Sequence, residues 1–250
     1  MGWYGYGYGG WPEYVPVAER RRKALSKLKS MQKKGHKLEP IELAGRQIAA
    51  TFWGKGWCEH LETYSDYSNR LPRGRSYVRN GSVLDLQITT GRVSAQVSGS
   101  ELYKIDIKIK PLDPKKWKAI IHSCAGKIDS LIELLQGRLS DSVMTVLTDR
   151  EKGMFPSPRQ ISLDCSCPDW AGMCKHVAAA LYGIGSRLDH KPELLFVLRG
   201  VNKEDLLTAG TRLTSLASKT KKGQKKRPAL KGADLSKLFN IDLAKEAMTK

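Results

Sequence analysis

ELYKIDIKIKP, residues 101–111, places Tyr103, Ile105, Ile107 and Ile109 on one face of an extended chain and Lys104, Asp106, Lys108 and Lys110 on the other. A period of two over this length is a β-strand with one face buried and one in water. Two stretches before it alternate in the same way, SVLDLQIT (82–89) and RVSAQVSG (92–99), and Thr-Gly and Gly-Ser turn signals separate the three. Short turns between consecutive alternating strands give an antiparallel meander.

The period changes on both sides of the meander. Downstream, Asp113 before Pro114 is a helix cap for PKKWKAIIHSCAG, which stops at Gly126; KIDSLIELLQG (127–137) and SDSVMTVLTD (140–149) read as two further helices. Helices following a sheet predict an α+β body with helices on one sheet face. Upstream, Ala24, Leu25, Leu28 and Met31 recur at helical spacing within residues 17–34, giving a basic helix with a narrow apolar stripe that ends at Gly35. Residues 1–16, rich in Gly, Tyr and Trp, read as a disordered or loosely docked arm. In residues 45–81, Trp53 and Trp57 flank a Gly-Lys-Gly linker, with a short helix expected from Trp57 to Tyr64. Then Arg70, Arg73, Arg75 and Arg79 interleave with Tyr67 and Tyr77 around Pro72 and Gly74. Forked donors for phosphate next to stacking faces suit nucleic acid, and the same arginines equally suit ion pairs with nearby acids.

CSCPDWAGMCKH, residues 165–176, holds three of the chain's five cysteines and one of its five histidines. Structural zinc takes four Cys or His ligands in a tetrahedron. QISLDCSC reads as a strand, on which Cys165 and Cys167 share a face, and Pro168 bends the chain beyond them. Residues two apart on a helix lie about 200° apart around its axis. Cys174 is therefore expected just before the helix of HVAAALYGIG, whose stripe is Val177, Ala180, Leu181 and Ile184, with His176 in its first turn and Trp170 packed over the site. A redox disulfide needs no histidine at this spacing, and four protein ligands leave no position for a catalytic water. Cys58-Glu59-His60 and His122-Ser123-Cys124 form a second, weaker set; both pairs fall in expected helices, so Cys58 and Cys124 are read as buried small residues.

The spacing C-x-C-x6-C-x-H before an Ala-rich helix resembles the SWIM-type zinc finger. Over residues 40–210 the chain, with RLPRGRSYVRNGSVLDLQI, IDSLIELLQGRLS and PELLFVLRGV, looks like the prokaryotic SWIM zinc-finger proteins found beside Swi/Snf-type helicase-like ATPases. That resemblance implies Zn2+ held by Cys165, Cys167, Cys174 and His176, and DNA binding, partner binding, or both.

Of the net charge of +18, residues 19–37 carry +8 and residues 218–231 carry +7, which leaves +3 for the other 217 residues. Such segments favour polyanions, and Lys221, Lys222, Lys225, Lys226 and Arg227 join the arginines and Tyr77 above as candidate nucleic-acid contacts. No apolar run spans a bilayer, and the N-terminus has no signal-peptide pattern, so the expected location is the cytoplasm, nucleoid included, with no membrane partner. No GxxxxGK[ST] loop occurs, so any motor activity belongs to a partner ATPase. The expected organisation is an arm and helix (1–37), an α+β body (38–157), a zinc-stapled strand-loop-helix module (158–210), a basic linker (211–231) and an amphipathic helix (232–250) that folds back or docks on another protein. The expected function is that of a non-enzymatic, DNA-binding or else RNA-binding accessory protein. The alternative is a protein-interaction adaptor whose charge serves only solubility.

Overall fold

The structure, a computed structural model, describes residues 16–35, 37–63, 70–128, 130–169 and 171–208. The aromatic arm, Tyr67, Trp170, the lysines and arginine of 221–227 and the expected C-terminal helix lie outside the described residues.

Three strands, β1 (Val83–Thr89), β2 (Arg92–Ser98) and β3 (Leu102–Ile109), form the meander, and a fourth, β4 (Ile161–Cys165), adds antiparallel to β3. The order β1-β2-β3-β4 follows the chain. Ile105 pairs with Ala95 and Cys165, and Ile107 with Val93 and Leu163, so one face carries an unbroken apolar layer. The other edge is lined by residues 39–41, where Ile41 N–H donates to the Val83 carbonyl (3.1 Å) and Leu86 N–H to that of Glu39 (2.9 Å). Residues 38–157 and 158–210, divided in the sequence reading, thus share one sheet.

Eight α-helices surround this sheet among the described residues: α1 (Val17–Lys33), α2 (Phe52–Glu62), α3 (Leu71–Arg79), α4 (Pro114–Cys124), α5 (Leu131–Gln136), α6 (Asp141–Thr148), α7 (Lys175–His190) and α8 (Glu193–Arg199). Asp113 caps α4 by accepting from Lys115 and Lys116 N–H, and Ser130 caps α5 by accepting from Glu133 N–H. Gly137 ends α5 in the left-handed region at φ +67°, where a Cβ is disfavoured.

α7 is the centre of the core. Its expected amphipathic stripe is in fact burial all round: Val177 to Ile184 are each at most 1% exposed where hydrophobic. Gly183 meets Leu86 and Ile41, whereas Ala178 meets Gly74 of α3 and Gly185 meets Gly54 of α2. Gly183 and Gly185 are about 200° apart on a helix, so the sheet and the α2–α3 pair take opposite sides. Trp57 Nε1 donates to the Leu181 carbonyl at 2.9 Å and Trp53 Nε1 to that of Leu134 at 2.9 Å, which satisfies both buried indoles.

Two sequence expectations are corrected here, and one segment that the sequence does not assign takes a definite form. The Gly-Lys-Gly segment is not a linker, because α2 begins at Phe52 and ends at Glu62. Asp189 at the end of α7 accepts from Ala50 N–H, Thr51 N–H and the Thr51 hydroxyl, which fixes the start of α2, and Gly54 serves close approach to Gly185. The Arg/Tyr segment is helix α3, with Pro72 harmless in its first turn and Gly74 buried against α7. Leu25 does not join the stripe of α1: it is 56% exposed, while Ala24 and Leu28 are buried on Leu84.

Candidate metal centre

β4 delivers Cys165 as its last residue, opposite Ile105. Ser166 prolongs the ladder by one residue, its N–H donating to the Lys104 carbonyl and its Oγ accepting from Lys104 N–H, both at 3.0 Å. Beyond Pro168 the Asp169 carboxylate accepts from Ala171 N–H at 3.2 Å, a local turn that starts the return. The Arg70 fork holds the same carboxylate at 2.9 and 3.4 Å, so the loop is tied to the start of α3.

Cys174 is the N-cap of α7, extended at φ −86° and ψ 170°, with its Sγ accepting from Val177 N–H at 3.4 Å. His176 sits in the first turn, so both side chains reach one point although two residues apart. The Val177 N–H at the helix N-terminus offsets part of the burial that pushes this thiol up.

The Sγ atoms of Cys165, Cys167 and Cys174 and a ring nitrogen of His176 all lie within 4.8 Å of one another. His176 Nδ1 is 3.8 Å from Cys174 Sγ and 4.0 Å from Cys165 Sγ. A zinc tetrahedron with ordinary bond lengths requires S···N and S···S separations of about 3.6–3.8 Å, so the two His176 distances already fit to within a few tenths of an ångström and the widest pair must contract by up to about 1 Å. Tyr103 stacks on the His176 ring at 4.1 Å between centroids and Tyr77 meets its edge at 5.3 Å. A Cβ at Gly99 would stand 3.0 Å from His176 Nε2 and 2.8 Å from the Tyr103 ring, so this glycine leaves room for the stack.

The protein surroundings favour the neutral form of the donors. Burial pushes the Cys165 and Cys174 thiols up, and burial assisted by Lys175 pulls the His176 imidazole down to about 4. Neutral imidazole is the ligand form already, whereas thiols must lose protons to bind zinc. Raising the pH from 6 to 7 is therefore expected to tighten zinc binding by up to about a thousandfold, one factor of about ten for each of three departing protons. Competition against a chromophoric chelator across that range measures this; a pH-independent affinity would contradict three-thiolate ligation.

The second Cys/His set does not assemble among the described residues. His60 is buried against the Pro156 carbonyl at 3.2 Å, and Cys124 is fully buried. Cys58 is half-buried against Gly185, and desolvation with Glu62 and Asp189 nearby pushes its thiol up to about 12. Of the candidate nucleic-acid residues, Arg70 is committed to Asp169, and Arg75 donates to Glu62 (2.5 Å) and the Tyr182 hydroxyl (3.0 Å). Tyr77 packs on the metal ligand, while Arg73 and Arg79 are exposed. Sequence reasoning missed Tyr103, Tyr77, Gly99 and Arg70 as supports of the site, because each is remote in sequence from residues 165–176 and nothing local marks it.

No helix of the described residues is long and apolar enough to cross a membrane. The model of the SWIM zinc finger matches residues 151–183, which include all of the donor set. A Mycobacterium tuberculosis protein described as "Uncharacterized protein Rv2102" is 37% identical over 163 residues, or 64% of this chain, and the chain spans 58% of that relative's length. No solved structure matches significantly. With the fold, the four donors and the family model in agreement, the chain carries a zinc finger of the SWIM type, closed by Cys165, Cys167, Cys174 and His176 at the junction of β4 and α7.

Proposed function

We propose that this protein is a non-enzymatic, zinc-stapled accessory protein that binds DNA and works with a Swi/Snf-type helicase-like ATPase. The observation that carries the reading is the charge distribution: +15 of the net +18 lies in residues 19–37 and 218–231, on either side of the segment that bears the zinc finger. Polyanion binding gives such segregation a use that solubility alone does not require. A four-ligand set leaves zinc no open position for substrate, which supports a structural role. The resemblance to proteins encoded beside helicase-like ATPases supports the partner, and the sequence lacks a P-loop of its own.

Duplex binding followed by fluorescence anisotropy across salt concentration tests the reading. About five phosphate contacts predict a slope of log K against log salt near −4.5. A tighter complex with RNA of the same sequence would move the substrate to RNA. No binding of either nucleic acid at low salt would favour the protein-interaction adaptor.

A further inference from the structure

Among the described residues, the apolar anchor of α1 lies on one side of the helix. Ala24 and Leu28, with Met31 half-buried, sit on Leu84 and Leu102. Leu102 adjoins Tyr103 of the main core and so points to the opposite sheet face, which α1 covers. Away from that seat, Arg22, Ser26, Lys29 and Lys33 are all exposed and fall at i, i+4, i+7 and i+11. They form one stripe about 16 Å long at 1.5 Å per residue.

Beside the N-terminal half of this helix, guanidinium groups stand in relay. Arg21 Nη2 donates to the carbonyl of Arg79 at 2.9 Å, and Arg79 Nε donates to the carbonyl of Arg46 at 2.9 Å. Each carbonyl takes one of five N–H groups and fixes the plane, which leaves the others to meet an anion. Among the described residues no carboxylate pairs with Arg21, Arg22, Lys29, Lys33, Arg46 or Arg79; the ion pair on α1 is Lys23 with Glu19. Cations held together by carbonyls repel one another, and a polyanion that sheds its condensed counterions turns the repulsion into binding.

We infer, on the DNA-binding reading above, that α1 together with Arg46 and Arg79 is the surface on which the phosphate backbone of a duplex seats. A membrane-lying helix presents an apolar face to lipid. Here that face is already used on Leu84 and Leu102, and among the described side chains of α1 Leu25 is the large hydrophobic one left exposed. A linear row of cations with a hydroxyl between them matches a phosphate chain instead.

The test compares Arg22→Gln/Lys29→Gln/Lys33→Gln in the full chain with Lys115→Gln/Lys118→Gln/Lys191→Gln, which removes the same charge from exposed positions on α4 and after α7. Both variants should melt with the parent. The α1 variant is expected to lose about 2.7 from the magnitude of the salt slope and at least about tenfold in affinity at low salt. The control variant should keep the parental slope to within about one. If the parent binds duplex and the α1 variant binds it equally well with the same slope, the surface is wrong while the DNA reading stands. If the parent binds no nucleic acid, the DNA reading falls first. If the parent prefers phosphatidylglycerol vesicles to duplex and the α1 substitutions abolish that preference, α1 is a lipid surface and the inference is overturned.

Discussion

Cys174→Ser is expected to bind no zinc at equimolar metal and to melt far below the parent. Serine is a good helix N-cap, so its Oγ can take over the Val177 N–H bond that Cys174 Sγ accepts, and the loss reports the metal and not the cap. Structural zinc contributes on the order of 10 kcal/mol of apparent binding energy, against a typical total stability of about 5–15 kcal/mol. Losing all of the zinc contribution would lower the melting temperature by about 20–40 °C in a chain of this size.

The fold makes this loss reach beyond the loop. β4 is a strand of the common sheet and α7 is the central helix of the core, so the staple joins the two layers on which everything else packs. A detached finger would unfold alone and leave the body's transition in place; here one cooperative transition should shift as a whole. Elemental analysis and thermal melts with and without chelator measure it. Chelator should move the parent's curve onto the variant's and leave the variant unchanged. A variant that keeps stoichiometric zinc and melts with the parent would remove the staple from the account.

The metal site was legible in the sequence because its constraint is local. The helical period forces Cys174 outside a helix that has His176 in its first turn, and the structure shows that placement, whereas the strand expected to carry both Cys165 and Cys167 ends at Cys165 and Cys167 lies in the bend beyond it. The meander was legible because β2 and β3 alternate cleanly and short turns join the three strands; the irregularity between Val83 and Asp85 in β1 was not. What local pattern could not carry was the use of small residues for close packing. Gly54 and Gly56 around Lys55 look like a linker, and Pro72 with Gly74 gives no helical signal, yet all four lie in helices. The meaning of Gly54 and Gly74 is set by α7, more than a hundred residues later, whose Gly185 and Ala178 meet them, and that of Gly56 by Phe155 and Thr148. The arginines of α3 divide the same way. Their charge is visible in sequence, but Arg70 on Asp169 and Arg75 on Glu62 are decided by partners that the fold brings up.

Gly74→Ala separates these two meanings of glycine by the sign of its effect. In an exposed helix, alanine is better than glycine by about 0.8–1.0 kcal/mol, so a merely helical Gly74 predicts a more stable variant. In the structure a Cβ at this position would lie 2.6 Å from Ala178 Cβ, 2.7 Å from the Ala178 carbonyl carbon and 2.9 Å from Ala179 N. Two of these are backbone atoms of the most buried helix, which cannot swing aside as a side-chain tip would. Overpacking of this kind costs about 1–3 kcal/mol, and the rigid obstacle places the expected loss at about 3 kcal/mol, or about 6–12 °C in melting temperature. Moving α3 off α7 also pulls Tyr77 from the edge of His176 and the Arg70 tie from Asp169, so zinc affinity should fall with stability. Gly45→Ala, where a Cβ meets nothing within 4 Å, is the matched control and should stay within about 0.5 kcal/mol of the parent. If Gly74→Ala instead raised the melting temperature, the close crossing of α3 on α7 would be wrong. The route by which α3 supports the metal centre would be wrong with it.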